Sequence, residues 1–302
     1  MINTVITRRS LIADGVVSLD LAAPDLPEWS PGAHIDLHLR ADLIRQYSLC
    51  GDSSNRSHYQ IAVLDSPDGR GGSRLVHALA EGDDVEISAP RNHFPLVDSP
   101  NYLFLAGGIG ITPLLPMLAT TPNWRLVYGG RTRASMAFAN ELVDRYGDRV
   151  TLWPQDERGL LDLATELGTP QPETVVYCCG PEPLLAAVET ACLTWPPNSL
   201  HVERFTPQED TAERLPFTVE LAATGQTLDI PVENTILEVL EQHGIPAMSS
   251  CAEGTCGTCE TTILAGTPDH RDSVLSPAER EAGKSMMICV SRASTPHLVL
   301  DL

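Results

Sequence analysis

Residues 249–259 read SSCAEGTCGTC, and a fourth cysteine, Cys289, follows near the end of the chain. The spacing of Cys251, Cys256 and Cys259, with a distant fourth cysteine, is typical of a plant-type [2Fe-2S] site. The glycines and small residues between them let the backbone wrap closely around sulfide, with N–H groups aimed at the sulfurs. The sequence therefore predicts an iron–sulfur cluster on these four thiolates, and with it one-electron chemistry.

A structural zinc site and buried free thiols are the alternatives for these cysteines. Zinc ligands usually come as two close pairs, whereas here one Cys-x2-Cys pair has a single outlying cysteine on each side. Ordinary core cysteines rarely crowd three into nine positions with Gly and Thr between them, so the cluster is favoured. The other four cysteines show no disulfide framework and are predicted to be reduced; they are Cys50, Cys178, Cys179 and Cys192.

Composition restricts the class of protein. The chain has 302 residues, which is enough for two or three domains. It carries 40 acidic against 20 basic residues, a net charge of −20, which argues against nucleic-acid binding because phosphate recognition needs clustered Lys and Arg. An acidic surface suits a partner protein with a basic patch, although solubility alone also accounts for it.

Neither a signal peptide nor a membrane span is predicted. The first residues lack a basic segment followed by an apolar run, and no later segment approaches about eighteen uncharged apolar positions. We therefore expect a cytoplasmic protein without membrane association. We also expect the protein to be a monomer.

The pattern of the chain changes along its length. Residues 1–97 carry short alternating segments between Gly, Pro, Asp and Ser clusters, which is typical of a small antiparallel β-barrel. Residues 98–205 carry continuous apolar runs followed by helical periodicity, which indicates a parallel sheet with crossover helices. Residues 206–215 are a polar linker, and residues 216–302 carry a strand pair, a helix and the cysteine loop, an order that suits a compact β-grasp module. The predicted fold is thus multidomain, α+β and α/β.

A strand motif and a glycine turn in the first block indicate a flavin site. Arg45 and Tyr47 lie on one face of a predicted strand, so a cation and an aromatic ring can meet a phosphate and a flat heterocycle together. Further along, a Gly-Gly-Ser turn precedes a helical segment and offers free N–H groups to a terminal phosphate. Each element alone could be an ordinary strand or a capped turn. Together they indicate flavin binding by Arg45, Tyr47, Ser48, Gly71, Gly72 and Ser73.

Two strand ends in the second block carry glycines suited to a nucleotide. One apolar strand runs through Gly108 and Gly110 into a helix whose first turn carries Pro113, and glycine permits a tight turn with close approach of a pyrophosphate. The full G-x-G-x-x-G fingerprint is absent, so an ordinary strand-to-helix turn is the alternative. Another strand ends at Cys179, before a Gly-Pro pair, at the carboxyl edge of the predicted sheet where ligands of open α/β folds bind.

Three further residues could contact the nucleotide or the flavin. Arg131 and Arg133 follow a third strand and could touch the adenosine ribose or a 2′-phosphate, but solvated charges account for them equally well. Phe205 ends the last strand and could stack on a ring system, although burial is the commoner fate of such a side chain.

With these motifs in this order, the chain resembles the phthalate dioxygenase reductase family, within the ferredoxin-NADP reductase-like superfamily, over essentially its whole length. The resemblance implies that residues 1–97 bind FMN rather than FAD, that residues 98–205 bind NAD(P)H, and that a plant-type ferredoxin follows. It implies that the Arg-x-Tyr-Ser motif holds the isoalloxazine and ribityl phosphate, and that the Gly-Gly-Ser turn receives the phosphate. The predicted cofactor-binding set also includes Ala62, Leu64, Gly108, Gly110, Thr112, Arg131, Gly180, Pro181, Glu203 and Phe205.

The resemblance also implies a reaction. NADH reduces the flavin, the flavin passes electrons singly to the cluster, and the cluster feeds a terminal oxygenase. Cys179 and Thr112 are the predicted catalytic residues, with Cys179 a neighbour of the path between nicotinamide and flavin and not a nucleophile. A Rieske-type oxygenase is favoured as the partner over a cytochrome P450. Transfer outward is downhill, because plant-type clusters lie near about −400 mV and Rieske centres roughly between −150 and +300 mV.

Other functions fit part of the pattern. The chain could serve a cytochrome P450 or act as a free-standing NAD(P)H diaphorase, and Arg131 and Arg133 leave NADPH open as the donor. From other classes, it could be a non-enzymatic iron–sulfur sensor or a zinc-stabilised binding module. A visible spectrum separates these functions, because flavin plus cluster gives a brown-yellow solution that NADH bleaches.

Overall fold

A computed structural model describes residues 1–40, 43–67, 69, 71–207 and 213–302, which divide into two units, Met1–Arg204 and Phe205–Leu302. Each unit has its own hydrophobic core. Within the predicted linker 206–215, residues 208–212 lie outside the described ranges.

The N-terminal part of the first unit contains six strands and one helix: β1 (Ile2–Ala13), β2 (Val16–Ala22), β3 (His34–Arg40), β4 (Leu43–Ser48), β5 (His58–Leu64), α1 (Gly72–Ala78) and β6 (Asp84–Ile87). The strands form an antiparallel sheet with the order β4-β3-β6-β1-β2-β5. Alternating apolar side chains meet inside it, and Leu19, Ile35 and Ile61 are fully buried. After β4 the chain reaches the opposite edge strand, where the Cys50 N–H donates to the Gln60 carbonyl over 2.9 Å. This contact joins the two edges, so the sheet closes as the predicted barrel.

The C-terminal part of the first unit contains five strands and five α-helices: β7 (Asn101–Gly107), α2 (Leu114–Thr120), β8 (Trp124–Gly130), α3 (Ala139–Tyr146), β9 (Val150–Pro154), α4 (Gln155–Arg158), α5 (Leu163–Leu167), β10 (Thr174–Cys179), α6 (Glu182–Ala191) and β11 (Leu200–Glu203). The strands form a parallel sheet with the order β11-β10-β7-β8-β9. Both faces are covered, because Phe104 of β7 packs in the core on one side and Leu105 in the core on the other. This double burial explains the continuous apolar runs.

The direction of strand addition reverses between β7 and β10. The chain runs outward from β7 through β8 to β9, and then returns to start β10 on the other side of β7. Open α/β sheets bind ligands beyond the carboxyl ends of the strands at such a switch point. The loop after β7 begins with a 3-10 turn, Gly108–Ile111, and the loop after β10 begins at Gly180. The fold therefore places both predicted nucleotide motifs at one crevice.

The second unit contains β12 (Phe217–Leu221), β13 (Gln226–Ile230), α7 (Ile236–Gln242), β14 (Glu260–Ala265), β15 (Pro268–Asp269), α8 (Pro277–Ala282), β16 (Ser285–Met287), β17 (Arg292–Ala293) and β18 (His297–Leu300). A mixed sheet has the order β13-β12-β18-β14-β16, and β15 pairs with β17. Helix α7 starts at a capping box, in which the Thr235 hydroxyl accepts from the Glu238 N–H. Its apolar face, including fully buried Ile236 and Leu240, joins the core of the sheet.

The predicted fold class is confirmed, since an antiparallel barrel, a parallel α/β sheet and a ferredoxin-like mixed sheet follow one another along the chain. One local detail differs. Pro113 lies at the N-cap of α2 and not in its first turn, because the chain first forms the 3-10 turn, in which Gly108 has a φ of 54°. Within the ranges that the structure describes, no helix has the length and apolar character needed to cross a membrane.

Candidate cofactor sites

Four buried sulfurs converge in the second unit. Cys251, Cys256, Cys259 and Cys289 expose 8 %, 1 %, 4 % and 3 % of their surface. The Sγ atoms of Cys259 and Cys289 are 3.1 Å apart, and the thiols of Cys251 and Cys256 hydrogen-bond to each other. No three of the described His, Cys, Asp or Glu side chains surround a position for a single metal ion. Cys251 also hydrogen-bonds to Cys289, so the four thiols form one connected group, which fits a two-iron cluster that takes four thiolates across its two irons.

The cysteine loop, residues 251–259, has a backbone shaped for close wrapping. Ala252, Gly254 and Gly257 have positive φ values of 55°, 68° and 73°, so the loop turns sharply three times. Glycine is required at 254, because a Cβ there would lie 2.5 Å from Cγ2 of Val290. The loop could not accommodate a larger residue at this position without moving the chain that follows Cys289.

Backbone hydrogen bonds favour the thiolate form at two of these sulfurs, those of Cys251 and Cys256. The Glu253 N–H lies 3.3 Å from Sγ of Cys251, and the Thr258 N–H lies 3.5 Å from Sγ of Cys256. The pKa of Cys251 is lowered, chiefly by its hydrogen bond with the Cys256 thiol. Iron binds the thiolate and not the thiol, so the donor set suits the predicted cluster in chemistry as well as number. The other four cysteines are free and buried.

Strand β4 meets the start of α1, which brings together the two predicted flavin motifs. Gly72 packs so tightly on the stem of Arg45 that a Cβ on Gly72 would lie 2.6 Å from Cγ of the arginine. Gly71 precedes the helix with a φ of 84°, and Ser73 Oγ accepts a hydrogen bond from the Ser66 N–H. The guanidinium side chain and the N–H groups of the turn are thus neighbours, as a phosphate site requires.

The remaining predicted flavin residues lie on β4 and β5. Burial raises the pKa of Tyr47 to about 12, so its hydroxyl stays protonated at neutral pH and can donate a hydrogen bond. Ser48 is buried at the end of β4, and Ala62 is buried on β5 against Ala137 from the parallel-sheet part of the unit. Leu64, at the end of β5, is 39 % exposed. Tyr47 therefore offers a polar contact, and Ala62 and Leu64 offer apolar surface.

The two loops at the switch point contact each other through glycines. A Cβ on Gly110 would lie 2.3 Å from the carbonyl oxygen of Cys179, and a Cβ on Gly107 would lie 2.7 Å from Cδ of Pro181. A Cβ on Gly180 would lie 3.0 Å from Cα of Gly107. A side chain therefore has no room at these three glycines, and the two loops pack closely against each other at the switch point, where glycine loops of α/β folds can bind a pyrophosphate.

Two predicted residues of the loop after β7 differ in whether they are available to contact a ligand. Gly108 faces open space, since no described atom lies within 4 Å of where its Cβ would be. Thr112 is only 2 % exposed, and its hydroxyl donates to the Ile109 carbonyl over 2.9 Å. Gly108 is therefore free to border a ligand, whereas the Thr112 hydroxyl already has a partner inside the turn.

Cys179 and Glu203 pair at the ends of β10 and β11. They are register partners, and Sγ of Cys179 lies 3.7 Å from Oε2 of Glu203. Burial raises the pKa of Cys179 well above its usual range and raises the pKa of Glu203 to about 8. Both groups are predominantly neutral at pH 7, and a neutral thiol is a poor nucleophile.

The raised pKa of Glu203 gives a prediction for stability. Between its usual pKa of 4.5 and its folded pKa of about 8, the native carboxyl holds a proton that the unfolded chain has lost. Raising the pH through this window should therefore lower the free energy of unfolding of the first unit. Urea unfolding across this pH range should show a smaller fall in Glu203→Gln, which cannot ionise. Equal pH slopes in the two proteins would show that the native carboxyl is not protonated.

Three predicted contact residues are mainly exposed. Arg131 follows β8 at the carboxyl edge of the sheet, and its carbonyl accepts from the Asp156 N–H over 3.1 Å. Arg133 donates to Oδ1 of Asn140 over 3.1 Å. Phe205 begins the second unit and is 42 % exposed. Both arginines thus lie at the edge that carries the glycine loops.

Sequence reasoning missed two residues that support these sites. Gly107 contacts Pro181, and Asp272 packs against the cysteine loop. The run of glycines after β7 was a signal for Gly107, but its partner comes from a distant strand. Asp272 stands in a polar turn with no motif of its own, so nothing local distinguishes it from a surface residue.

Comparison with known proteins places these sites in a family context. The 2Fe-2S iron-sulfur cluster binding domain matches residues 219–294. The chain is 45 % identical to the phenoxybenzoate dioxygenase subunit beta of Ectopseudomonas oleovorans, over 96 % of this chain and 94 % of that protein. It is 38 % identical to the phthalate dioxygenase reductase of Burkholderia cepacia, over 98 % of this chain and 96 % of that protein.

Two solved structures extend the comparison. An intact type IV self-sufficient cytochrome P450 monooxygenase matches with a TM-score of 0.94 and 42 % identity, over 100 % of this chain and 41 % of that one, so the chain spans less than half of that protein. Phthalate dioxygenase reductase, described as a modular structure for electron transfer from pyridine nucleotides to [2Fe-2S], matches with a TM-score of 0.72 and 38 % identity, over 99 % of this chain and 97 % of that one. With this identity over nearly its whole length, and with the cysteine loop and glycine crevice in place, the chain belongs to the phthalate dioxygenase reductase family.

Proposed function

We propose that the chain is the reductase of an oxygenase system and carries electrons from NADH through FMN and a [2Fe-2S] cluster to a terminal oxygenase. The observation that carries this proposal is that one chain combines four converging cysteine sulfurs with a glycine-lined crevice at a sheet switch point. When bound, FMN takes electrons in pairs from the pyridine nucleotide and passes them singly to the cluster. The oxygenase names of the relatives support an oxygenase as the acceptor.

We assign each step to a part of the chain. FMN belongs to residues 1–97, the nucleotide to residues 98–205 and the cluster to residues 216–302, with 206–215 as the linker. The first boundary is supported by the gap between β6 of the antiparallel sheet and β7 of the parallel sheet. The second is supported by the division of the chain after Arg204.

The residues of the first unit supply binding and orientation. Arg45 and the N–H groups of residues 71–73 would hold the FMN phosphate, and the protonated Tyr47 hydroxyl would donate to the bound cofactor. The glycine loops at the crevice would offer backbone N–H groups to the pyrophosphate of the nucleotide. Cys179 and Thr112 would border the nicotinamide as neutral groups, so the chain would position the reacting rings without supplying an acid or base.

The proposed electron donor and the proposed electron acceptor each have one alternative, which an experiment can distinguish. We propose NADH as the donor, and exposed Arg131 and Arg133 make NADPH the alternative, which a comparison of kcat/KM for the two donors decides. We favour a Rieske-type acceptor, because its potential range makes transfer from a plant-type cluster downhill. A cytochrome P450 is the second candidate, and the superposition on the self-sufficient P450 favours it. Reduction rates with purified acceptors of both kinds would separate them.

Anaerobic titration with NADH, followed by visible absorbance, tests the proposed function. Iron, sulfide and flavin are counted on the same sample, and the released flavin is identified as FMN or FAD. The expected result is one FMN and near-equal iron and sulfide per chain, with bleaching of both flavin and cluster bands by NADH. Protein that contains no flavin would point to a non-enzymatic iron–sulfur protein, and colourless protein with zinc would point to a binding module.

Charge gives a prediction for partner docking. The chain has a net charge of −20, and Glu253 and Glu260 flank cluster cysteines, so a basic partner should be attracted at low salt. Raising the ionic strength should therefore slow electron delivery to the oxygenase while leaving reduction of a small neutral dye unchanged. The same salt response in both assays would rule out electrostatic steering.

A further inference from the structure

A fully buried carboxylate, Asp272, lies between β15 and α8. It is 0 % exposed, and its Oδ2 accepts hydrogen bonds from the N–H groups of Val274 at 3.0 Å and Leu275 at 2.8 Å. Ser291 Oγ lies 3.4 Å from its Oδ1. Aspartate is almost never fully buried without such partners, so this side chain is held in one position by its surroundings.

The same segment contacts the cysteine loop. A Cβ on Gly254 would lie 3.1 Å from Cα of Asp272, and the Ser273 N–H donates to the Gly254 carbonyl over 2.8 Å. Ser291, which bonds to the carboxylate, stands two residues after Cys289. Asp272 thus connects the two parts of the chain that carry the four cysteines.

Among the described residues, the ionisable side chains of Arg280 and His270 face this carboxylate. An Arg280 guanidinium nitrogen lies 3.5 Å from Oδ2 of Asp272, and the same side chain donates to the carbonyls of Leu275 and Asp272. Nδ1 of His270 lies 3.7 Å from Oδ1, and burial lowers the pKa of this histidine, so it is neutral at pH 7. Arg280 therefore pairs with the carboxylate from α8.

We propose that Asp272 is a positioning residue for the iron–sulfur cluster: its buried carboxylate joins the cysteine loop to the Cys289 segment and holds a fixed negative charge behind the loop. This inference rests on the proposed function, since it requires the cluster to be present. Two effects follow. The carboxylate slows opening of the loop and so slows loss of iron, and its charge disfavours the additional electron and so lowers the reduction potential of the cluster.

The test compares the full wild-type chain with Asp272→Asn and with Asp229→Asn. Asparagine keeps the size of the side chain and one acceptor oxygen but removes the charge. Asp229 lies exposed on β13, so Asp229→Asn makes the same substitution at a position outside the cysteine loop and serves as the control. Asp272→Asn should lose its cluster to an iron chelator about 10- to 100-fold faster than wild type, and its midpoint potential should rise. Asp229→Asn should match wild type in both measurements.

A third variant, Arg280→Gln, separates positioning from general support of the fold. It removes the facing positive charge and should lower the midpoint potential, opposite to Asp272→Asn. If Asp272→Asn does not fold, the midpoint potential of Arg280→Gln tests the proposal instead. A potential in Arg280→Gln that is equal to or higher than that of wild type overturns the proposal. A folded Asp272→Asn with wild-type chelation rate and potential also overturns it. Wild-type protein without iron and sulfide would instead refute the proposed function itself.

Discussion

Cys256→Ser is expected to abolish reduction of the oxygenase partner by NADH while leaving NADH-dependent reduction of ferricyanide largely intact. Cys256 is 1 % exposed and its thiol hydrogen-bonds to Cys251 within the group of four thiols, so its loss removes a proposed iron ligand from a buried site. The proposed nucleotide-binding residues, and all of the proposed flavin-binding residues except Phe205, belong to the first unit and should keep their environment. Loss of an iron ligand should cost more than the roughly 10- to 100-fold typical of an outer hydrogen-bonding partner.

The matched control for this experiment is Cys192→Ser. Cys192 is also buried, at 8 % exposure, but it lies in the core of the parallel-sheet region. The control should keep wild-type iron content and both activities. Wild-type iron and sulfide in Cys256→Ser, or an equal loss of both activities in that variant, would contradict the assignment of Cys256 as a ligand.

Gly110→Ala is expected to lower kcat/KM for NADH and to destabilise the first unit. The added Cβ would lie 2.3 Å from the Cys179 carbonyl oxygen and 2.6 Å from the Gly180 nitrogen, so the two crevice loops must move apart. Overpacking of this kind typically costs about 1–3 kcal/mol of stability. Displacement of the nicotinamide by about 1 Å could lower the rate of reaction about 100-fold.

The measurements are steady-state kinetics with NADH and urea unfolding of the same preparations. Gly129→Ala is the matched control, because Gly129 lies near the end of β8 on the same sheet edge and its Cβ would make its closest contact at 3.4 Å, with Cδ1 of Leu161. The control should stay close to wild type in both measurements. Wild-type kinetics and stability in Gly110→Ala would show that the loops do not depend on each other.

The sequence was most informative where a site is local. Three of the four cluster cysteines fall within nine residues, so their spacing alone predicts the chemistry. The parallel sheet was also predictable, because strands buried on both faces must be continuously apolar, as β7 is. Arg45 and Tyr47 could be placed on one face from the period of a strand.

The features of the sites that could not be predicted depend on contacts between segments that are distant in sequence. Gly107 is restricted by Pro181, and the pairing of β11 with β10 places the carboxyl of Glu203 beside Cys179. Asp272 binds partners from its own turn and from Ser291 while its segment packs against the cysteine loop. Neither the hydrophobic periodicity nor the spacing of motifs predicts which loops contact each other. The roles of Gly107, Glu203 and Asp272 are therefore apparent only in the folded chain.

Freeze-quench EPR after anaerobic mixing with NADH is the most decisive measurement of electron transfer from flavin to cluster. The protein is the full chain with FMN and cluster, and Cys256→Ser serves as the comparison. We expect NADH to produce the signal of a reduced [2Fe-2S] cluster in wild type and no such signal in the variant. A wild-type cluster that stays oxidised while the flavin becomes fully reduced would contradict the proposed electron path.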